Sequence, residues 1–486
     1  MSRVCVVGAG AAGLCAARHL LEAPCVSQVD VLEQSGQLGG TWVYTENVGY
    51  DDFGLPIHTS MYKSLRTNLP KEIMGFPDFP IPESDKSYLP AKDMLAFLQL
   101  YSDKHGVTEH IKFKQHVQQV KPKAGPSGEL WDVTYKDLTT SVSVTKEYDY
   151  VFICNGHYNT PFIPNIPGLK EFEGDVMHSH DYRVPEIFTG KRVLVIGAGP
   201  SGMDIALEIT SVTTKVILSH HLKEEPKSVF PNNLVMKPDV VKLDGRKVTF
   251  NDGSEDEVDV VFLCTGYQYN FPFLDESCGI VVEDNCVEPL YKHLVNIQHP
   301  TMCFIGVPYY VCAFAMFDLQ VRFYVRSMNG VFKLPSPDEM MKHWEEEKQE
   351  RAARGYTKRQ AHMMGPDQAD YYISLSMESG SRPLPPVYTA IHNDSSLKFM
   401  DDLANYRNEV YKILDDEKFV VMKQRYYASL ASEANTKNLP SVITKIRDES
   451  SIRFLHNLQS YRQDVYKIID DDTYEIISNG KREVLC

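Results

Sequence analysis

The sequence predicts an α/β protein with two doubly wound parallel sheets, one domain inserted in the other, and a helical appendage at the C-terminus. A strand, glycine turn, helix and strand follow one another at residues 4–33, and the same order returns at residues 193–219. The apolar runs before both glycine turns are short and β-branched, which is typical of parallel strands buried on both faces. A later apolar run partners each unit, at 148–156 and at 258–267, and each stops at a glycine.

The domain boundaries follow from the order of these units and from a proline-rich joint at residues 161–168. We predict 1–168 as the first part of the outer domain, 169–290 as the inserted domain, 291–400 as the second part of the outer domain and 401–486 as the helical appendage. A charged helix is expected within 342–360. Residues 403–416 recur in related form at 458–471, which we interpret as a duplicated helix and a contact between copies in a homo-oligomer.

Length and charge limit the classes of partner. A chain of 486 residues can build two or three domain-sized cores. Its net charge of −15 argues against nucleic acid and anionic membrane surfaces as main partners. No run of about twenty apolar residues occurs, so no transmembrane anchor is predicted.

The cysteines and the first residues bear on the compartment. The ten cysteines are scattered without a CxxC pair or a zinc spacing, which favours reduced thiols, no disulfide framework and no metal site. Met1 leads almost directly into the first strand, so we expect no signal peptide in front of it. A cytoplasmic location is predicted, with secretion after loss of a leader as the alternative.

The first glycine turn has the spacing of a dinucleotide-binding, Rossmann-like unit. Gly8 permits the tight turn, Gly10 lets the backbone approach a pyrophosphate, and Gly13 allows close helix packing. The start of the helix offers unpaired N–H groups to the phosphates. Glu33 ends the next strand, where a carboxylate accepts both hydroxyls of an adenosine ribose. This site suits FAD; the alternative is a glycine-rich turn beside a surface glutamate.

The second glycine turn, with Gly197, Gly199 and Gly202, differs at the matching place. Leu222 stands twenty residues after Gly202, where the first motif has Glu33. The flanking residues are hydroxyl-bearing, neutral or cationic: Ser219, His220, His221 and Lys223. Without an acid to repel a 2′-phosphate, this site suits NADPH. NADH is the alternative, since no arginine is present, and the two histidines are alternatively solvated loop residues.

Between the two motifs, residues 172–183 carry Phe172, Gly174, His178 and Tyr182 in the order FxGxxxHxxxY. This segment resembles the fingerprint of flavin-containing monooxygenases, which are class B flavoprotein monooxygenases. Further segments resemble the family in order, at 39–42, 62–70, 264–267 and 317–320. The matches span residues 3–325, and their wording is most similar to soluble members, among them insect pyrrolizidine-alkaloid N-oxygenases and plant S-oxygenases.

The resemblance implies an activity. NADPH would reduce the flavin, O2 would add to give a C4a-hydroperoxyflavin, and a soft nitrogen or sulfur of a small molecule would take one oxygen atom. A tertiary amine or alkaloid is the favoured substrate. The alternatives are S-oxygenation of a thioether, Baeyer–Villiger oxygenation, uncoupled NADPH oxidation and a binding protein that has lost oxygenation. The family of Baeyer–Villiger enzymes ends the fingerprint in Trp and then Pro or Asp, where Tyr182 and Arg183 stand here.

The resemblance also implies the site residues. Asn68 is the predicted catalytic residue, since a neutral amide both donates and accepts; a turn asparagine is the alternative. Tyr62 is placed at the nicotinamide side and Gln320 at the flavin pyrimidine edge, with aromatic core and helix surface as their alternatives. His178 and Tyr182 are assigned to the joint between domains. The predicted cofactor-binding residues are Gly8, Gly10, Ala12, Gly13, Glu33, Gln37, Gly40, Thr41, Trp42, Tyr62, Thr67, Leu69, Val117, Gly197, Gly199, Ser201, Gly202, Asp204, Ser219, His220 and Gln320.

Overall fold

The computed structural model describes residues 1–126, 128–222 and 226–423, with three further strands between 464 and 485. Contacts divide the chain into two compact units. The first unit comprises residues 1–65, 90–225 and 230–383, and the second comprises 66–89, 226–229 and 384–486. Both predicted doubly wound sheets lie in the first unit.

The sheet of the outer domain has seven strands. Their spatial order is Leu290–Tyr291, Val295–Asn296, Met302–Phe304, Tyr150–Ile153, Ser2–Val7, Val26–Leu32 and Ile111–Lys112. The last five are parallel, and the first two pair in antiparallel fashion. Since Met302–Phe304 pairs with Tyr150–Ile153, the chain returns to the first sheet after the second one, and the predicted insertion is confirmed.

The sheet of the inserted domain has five parallel strands. Their order is Leu234–Lys237, Lys215–Ser219, Arg192–Ile196, Val260–Leu263 and Asp175–His178. Leu194, Ile217 and Val261 form the centre of its hydrophobic core. The fingerprint segment therefore begins as an edge strand, so its carboxyl end reaches the same side of the sheet as the second glycine turn.

Three small antiparallel sheets complete the strands of the first unit. They are Gln115–Gly125 with Gly128–Asp137 and Ser143–Tyr148; Val240–Asp244 with Lys247–Phe250 and Glu255–Glu257; and Val281–Glu283 with Cys286–Glu288. The α-helices of the first unit are Ala11–Leu21, Ala91–Lys104, Pro200–Ile209, Ala313–Met328, Pro337–Ala353 and Gln368–Ser379. None of the helices in the described ranges is long and apolar enough to cross a membrane.

The charged helix predicted within 342–360 is present, but it begins earlier and ends earlier, at Pro337–Ala353, and local chemistry sets its ends. Ser336 and Glu339 form a reciprocal capping box with Pro337 in the first turn, which satisfies N–H groups that a helix start leaves open. The helix stops before Gly355, whose φ of 87° suits a residue without a Cβ.

The predicted helical repeat is wrong where the structure describes it. In the first copy, Glu409–Ile413 is a strand paired antiparallel with Phe419–Lys423. In the second copy, Asp464–Ile468 is a strand that pairs parallel to Phe419–Lys423 and continues the sheet to Tyr474–Ser478 and Lys481–Leu485. Residues 458–463 and 469–471 of that copy lie outside the described residues.

Among the described residues of the second unit, the one α-helix is Pro386–Asp401, which precedes this sheet. The strand at Glu409–Ile413 is rich in aromatic and β-branched residues and buries Val410 and Tyr411. The pattern of such a short apolar run is compatible with either a helix or a strand. Here the burial of its apolar side chains in a sheet favours the strand.

Candidate cofactor site

The first glycine turn is closed by backbone contacts that only glycine allows. Gly8 has a φ of 101°, and a Cβ on it would lie 2.7 Å from the carbonyl oxygen of Cys154. A Cβ on Gly13 would overlap the carbonyl oxygen of Gly8. Gly10 precedes helix Ala11–Leu21 in extended conformation, and Ala12 lies buried in the first helical turn. The turn is thus shaped as the sequence predicts for a pyrophosphate cradle.

A second glycine pair borders the same turn. The N–H of Gly39 donates to the carbonyl of Ala9 at 2.9 Å. A Cβ on Gly40 would lie 3.0 Å from the Cα of Gly10. The predicted cofactor residues Gly40, Thr41 and Trp42 form one short 3-10 turn here. The structure therefore brings the two glycine segments into direct backbone contact, with no side chain between them.

Glu33 lies beside the first turn and is 8% exposed. Its Oε2 accepts a hydrogen bond from Ala9 N at 2.8 Å, and its Oε1 accepts one from Ser35 N at 2.8 Å. The carboxylate thus holds the glycine loop and the end of its own strand together. Two other predicted residues lie apart: Gln37 is exposed on the following loop, and Val117 packs in the core with Val7 and Leu32.

Four buried polar atoms around these segments have no hydrogen-bond partner among the described residues. They are Thr41 Oγ1, Tyr44 OH, His157 Nε2 and His180 Nε2. Native proteins satisfy most buried polar atoms, so such a group indicates where a polar ligand completes the site. The bare glycine backbone and these unpaired atoms together fit a dinucleotide.

The second glycine turn repeats the first in detail. Gly197 has a φ of 105°, and a Cβ on it would lie 2.5 Å from the carbonyl oxygen of Cys264. A Cβ on Gly202 would overlap the carbonyl oxygen of Gly197. A Cβ on Gly199 would meet nothing within 4 Å, which leaves room over the start of helix Pro200–Ile209, where Ser201 is exposed. This is the space that a phosphate occupies in such motifs.

The strand next to the second turn ends without an acid at the place of Glu33, as predicted. Ser219 is 1% exposed and its hydroxyl donates to the Pro238 carbonyl at 2.9 Å, so that hydrogen is already used. His220 is half-buried, and its Nδ1 accepts from Leu222 N at 3.2 Å. His221 is exposed and pairs with Asp239, a carboxylate that sequence spacing did not indicate. Lys223 lies outside the described residues.

The fingerprint segment ends in a buried arginine, Arg183, which the sequence marked only as a departure from the Baeyer–Villiger pattern. Arg183 donates through all three nitrogens to five backbone carbonyls. Those carbonyls belong to Thr45, Asn47, Thr59, His180 and Tyr182. Burial lowers the pKa of Arg183, yet the guanidinium ordinarily stays protonated by several pH units. It therefore links the loop after Trp42 to the fingerprint by charge-assisted bonds.

His178 fixes the end of the neighbouring strand. Its Nδ1 accepts from His180 N at 3.1 Å, so its Nε2 carries the proton and donates to the Gly266 carbonyl at 3.0 Å. Burial lowers the pKa of His178 to about 4, because a cation would lose its hydration there. The histidine of the fingerprint is thus a neutral, bidentate support of the turn after Val260–Leu263.

Tyr62 connects the two domains within the first unit. Its hydroxyl donates to Asp204 on helix Pro200–Ile209, and its ring lies 5.5 Å from that of Tyr182. Tyr182 in turn donates to Glu208 on the same helix at 2.6 Å. The structure thus brings together the predicted residues Tyr62 and Asp204, and it places Tyr182 at the joint for which we predicted it.

Gln320 does not lie on the helix surface, which was one of its two sequence-based interpretations. It is fully buried; its Oε1 accepts from Gly306 N at 2.9 Å, and its Nε2 donates to the Tyr371 hydroxyl at 2.7 Å. These bonds support the turn after strand Met302–Phe304, and the contact of Gln320 with the flavin stays a prediction. The hydrogen bonds join residues far apart in the chain, so local sequence could not reveal them.

Asn68 and its neighbours belong to the second unit. Thr67 is buried, and its Oγ1 accepts from Leu89 N at 3.0 Å, while Arg407 donates to its carbonyl at 3.0 Å. Leu69 is half-buried. The Asn68 side chain is exposed, so this unit holds its backbone and leaves its amide accessible.

A cluster of Cys15, His19 and Asp318 has the spacing to hold a metal ion, but its bonds argue otherwise. His19 Nε2 lies 2.7 Å from Asp318, and Arg322 donates to the other carboxylate oxygen at 2.6 Å. Burial raises the pKa of Asp318, but these two partners outweigh it and lower the pKa overall. With an arginine already balancing the carboxylate, we interpret the cluster as a bond between helices Ala11–Leu21 and Ala313–Met328.

The free energy of unfolding is expected to fall as the pH drops below about 6.5, in part through His178. The pKa of His178 is about 4 in the folded chain and about 6.5 in the unfolded chain. Between about pH 4 and about pH 6.5 the unfolded chain therefore binds a proton that the folded chain does not. Stability present above pH 6.5 is lost at up to about 1.4 kcal/mol per pH unit for this one group.

Urea unfolding at about pH 7.5, 6.5 and 5.5 measures this loss. A His178→Gln variant should show a shallower dependence than the parent chain. An equal slope in the two proteins would remove His178 as a source of the acid sensitivity.

The two glycine turns are those of a protein that binds two dinucleotides. The chain belongs to the flavin-binding monooxygenase-like family, whose model matches residues 1–224 and 221–399. Senecionine N-oxygenase of Tyria jacobaeae is 36% identical over 432 residues, which cover 87% of this chain and 92% of that protein. Flavin-containing monooxygenase FMO GS-OX5 of Arabidopsis thaliana is 38% identical over 399 residues, which cover 78% and 85%.

A solved structure agrees with this membership. S-allyl-L-cysteine S-oxygenase from Allium sativum superposes with a TM-score of 0.79 at 31% identity, covering 90% of this chain and 99% of that one. The predicted resemblance, the two doubly wound sheets and the enzyme class are therefore confirmed.

Proposed function

We propose that the chain uses FAD, NADPH and O2 to place one oxygen atom on a soft nitrogen or sulfur of a small molecule. The observation that carries this proposal is the pair of glycine cradles within one unit, which differ in the residue directly after the neighbouring strand: Glu33 at the first and His220 at the second. Two such cradles fit two dinucleotides with different ribose chemistry.

The first cradle would hold FAD. Gly8, Gly10 and Gly13 would admit the pyrophosphate, and Glu33 would accept the ribose hydroxyls in place of its present N–H donors. The unpaired Oγ1 of Thr41 is available to the same ligand. Once bound, the flavin supplies hydride acceptance and oxygen activation, and the protein contributes orientation and exclusion of water.

The second cradle would hold NADPH. The open space at Gly199 receives the pyrophosphate, and the strand end at His220 offers no acid in the place of Glu33. The exposed pair of His221 and Asp239 lies at this end. A protonated His221 would favour a 2′-phosphate and Asp239 would oppose it, so NADPH is preferred without excluding NADH.

The substrate is proposed from the activities that give two relatives their names. One is a senecionine N-oxygenase and another is an S-allyl-L-cysteine S-oxygenase. A tertiary amine of the alkaloid class is the first candidate, because the N-oxygenase is 36% identical to this chain and the S-oxygenase 31%. A thioether is the second, because the S-oxygenase matches over 90%. Asn68, whose amide is accessible, is the proposed catalytic residue.

The cysteines argue against a disulfide-reducing flavoprotein, which would also bind two dinucleotides. A disulfide-reducing flavoprotein would need a reactive cysteine pair, whereas the cysteines of the described ranges are free and lie without a CxxC. Burial raises the pKa of Cys154 and Cys264 beneath the two cradles, which makes them poor thiolates. Such reduced thiols support a reducing compartment; association into a homo-oligomer stays a prediction.

Reaction stoichiometry tests the proposal. With a tertiary amine, each NADPH and H⁺ with one O2 should yield one N-oxide, one water and one NADP⁺, with little peroxide. We would measure NADPH, oxygen, peroxide and product in one reaction, with a thioether and a cyclic ketone as parallel substrates. Peroxide equal to NADPH with every substrate would instead establish an uncoupled oxidase, and ester formation from the ketone would establish Baeyer–Villiger chemistry.

A further inference from the structure

His157 lies at the carboxyl end of the strand that supports the first glycine turn. It follows strand Tyr150–Ile153 by four residues, and the intervening Cys154 packs against Gly8. The centroid of its ring lies 4.3 Å from that of Tyr158 and 5.1 Å from that of Tyr269. Ligands of open α/β sheets bind beyond this end of the strands, so His157 stands at the ligand side of the sheet.

The surroundings of the ring allow its tautomer to be assigned. The Gly306 backbone raises the pKa of His157, as a carbonyl acceptor beside the ring does, and the Gly306 N–H is already used by Gln320. Since Nε2 has no partner among the described residues, we assign the contact with the Gly306 carbonyl to Nδ1, which leaves the lone pair on Nε2. Burial lowers the pKa of His157 to about 4, so the ring is neutral at ordinary pH.

We propose that His157 is a flavin-binding residue whose Nε2 accepts a hydrogen bond from an O–H or N–H group of FAD. The inference rests on the proposed use of FAD. The ring is held from two sides by turns that end neighbouring parallel strands, Tyr150–Ile153 and Met302–Phe304. A buried acceptor held rigidly without a donor is costly unless a ligand supplies one. Flavin nucleotides carry such donors on the ribityl chain, the flavin ring and the adenosine ribose.

Two amide variants separate the nitrogens of the ring. The polar end of asparagine lies near the position of Nδ1, and that of glutamine near Nε2. His157→Asn should keep the bond to Gly306 but lose the acceptor, and we expect about tenfold weaker FAD binding. His157→Gln should keep the acceptor and remain within about threefold of the parent chain.

The measurement is quenching of FAD fluorescence on titration of the flavin-free protein, with thermal unfolding of each variant as a check on folding. Tyr158→Phe changes the exposed neighbour and should leave FAD affinity unaltered. Equal losses in the Asn and Gln variants would assign His157 to support of Gly306 and overturn the proposal, as would no loss in either. Titration with riboflavin and with ADP, which represent the two halves of FAD, locates the donor group. The weaker binding of the His157→Asn variant should appear only with the half that carries this donor. Failure of the parent chain to bind FAD would instead defeat the proposed function.

Discussion

Alanine in place of Gly202 is expected to stop flavin reduction by NADPH while the flavin stays bound. The new Cβ would overlap the Gly197 carbonyl and lie 3.2 Å from the Cβ of Cys264, so the second turn must open. Because the first turn is built from other residues, it should keep its flavin. We expect NADPH affinity to fall at least about 100-fold, or about 2.7 kcal/mol.

The matched variant is Gly13→Ala, which introduces the same overlap in the first turn, with the Gly8 carbonyl. It should lose flavin and retain NADP⁺ binding. Flavin content, NADP⁺ titration and reduction by dithionite distinguish the two outcomes. Gly199→Ala meets no protein atom within 4 Å, so a loss of NADPH affinity there would come from the ligand space itself. Flavin loss from Gly202→Ala would show that the two turns are not independent.

Asn68→Ala is expected to uncouple the enzyme. The side chain is exposed, so its removal should change the free energy of unfolding by less than about 0.5 kcal/mol. In the proposed catalytic role, the amide would supply one neutral group that both donates and accepts, which no methyl group replaces. We expect NADPH oxidation to continue, with product falling below about one tenth of the NADPH consumed and peroxide accounting for the rest.

Asn68→Asp serves as the control for shape, because it keeps the size and replaces the donor by a negative charge. It should also uncouple. Product and peroxide measured per NADPH decide the matter, and normal coupling in Asn68→Ala would remove this residue from the catalytic assignment.

The sequence was sufficient where function depends on local spacing. Each glycine turn needs three glycines at fixed intervals, so their order alone predicted backbone geometry that the structure confirms at Gly8 and Gly197. The insertion was also predictable, because each unit carried its own later strand. Glu33 followed for the same reason, since strand length fixes where the residue after a strand lies.

Sequence reasoning failed where the partner is distant or the pattern is ambiguous. The partners of Gln320, which are Gly306 and Tyr371, are brought near it only by folding, so the sequence did not reveal them. His157 carried no signal in its short Asn-Gly-His context. The run at 409–413 was interpreted as helical because a few apolar residues fit two periodicities, and its burial in a sheet settled the matter.

The hydrogen bonds of Arg183 should be insensitive to the salt concentration. An ion pair at the surface weakens with salt, whereas the buried guanidinium of Arg183 is held by five backbone carbonyls. Lysine could not replace it, because lysine offers three donors from one atom and lacks the planar guanidinium. The link between the loop after Trp42 and the fingerprint segment should therefore persist at an ionic strength that weakens surface ion pairs.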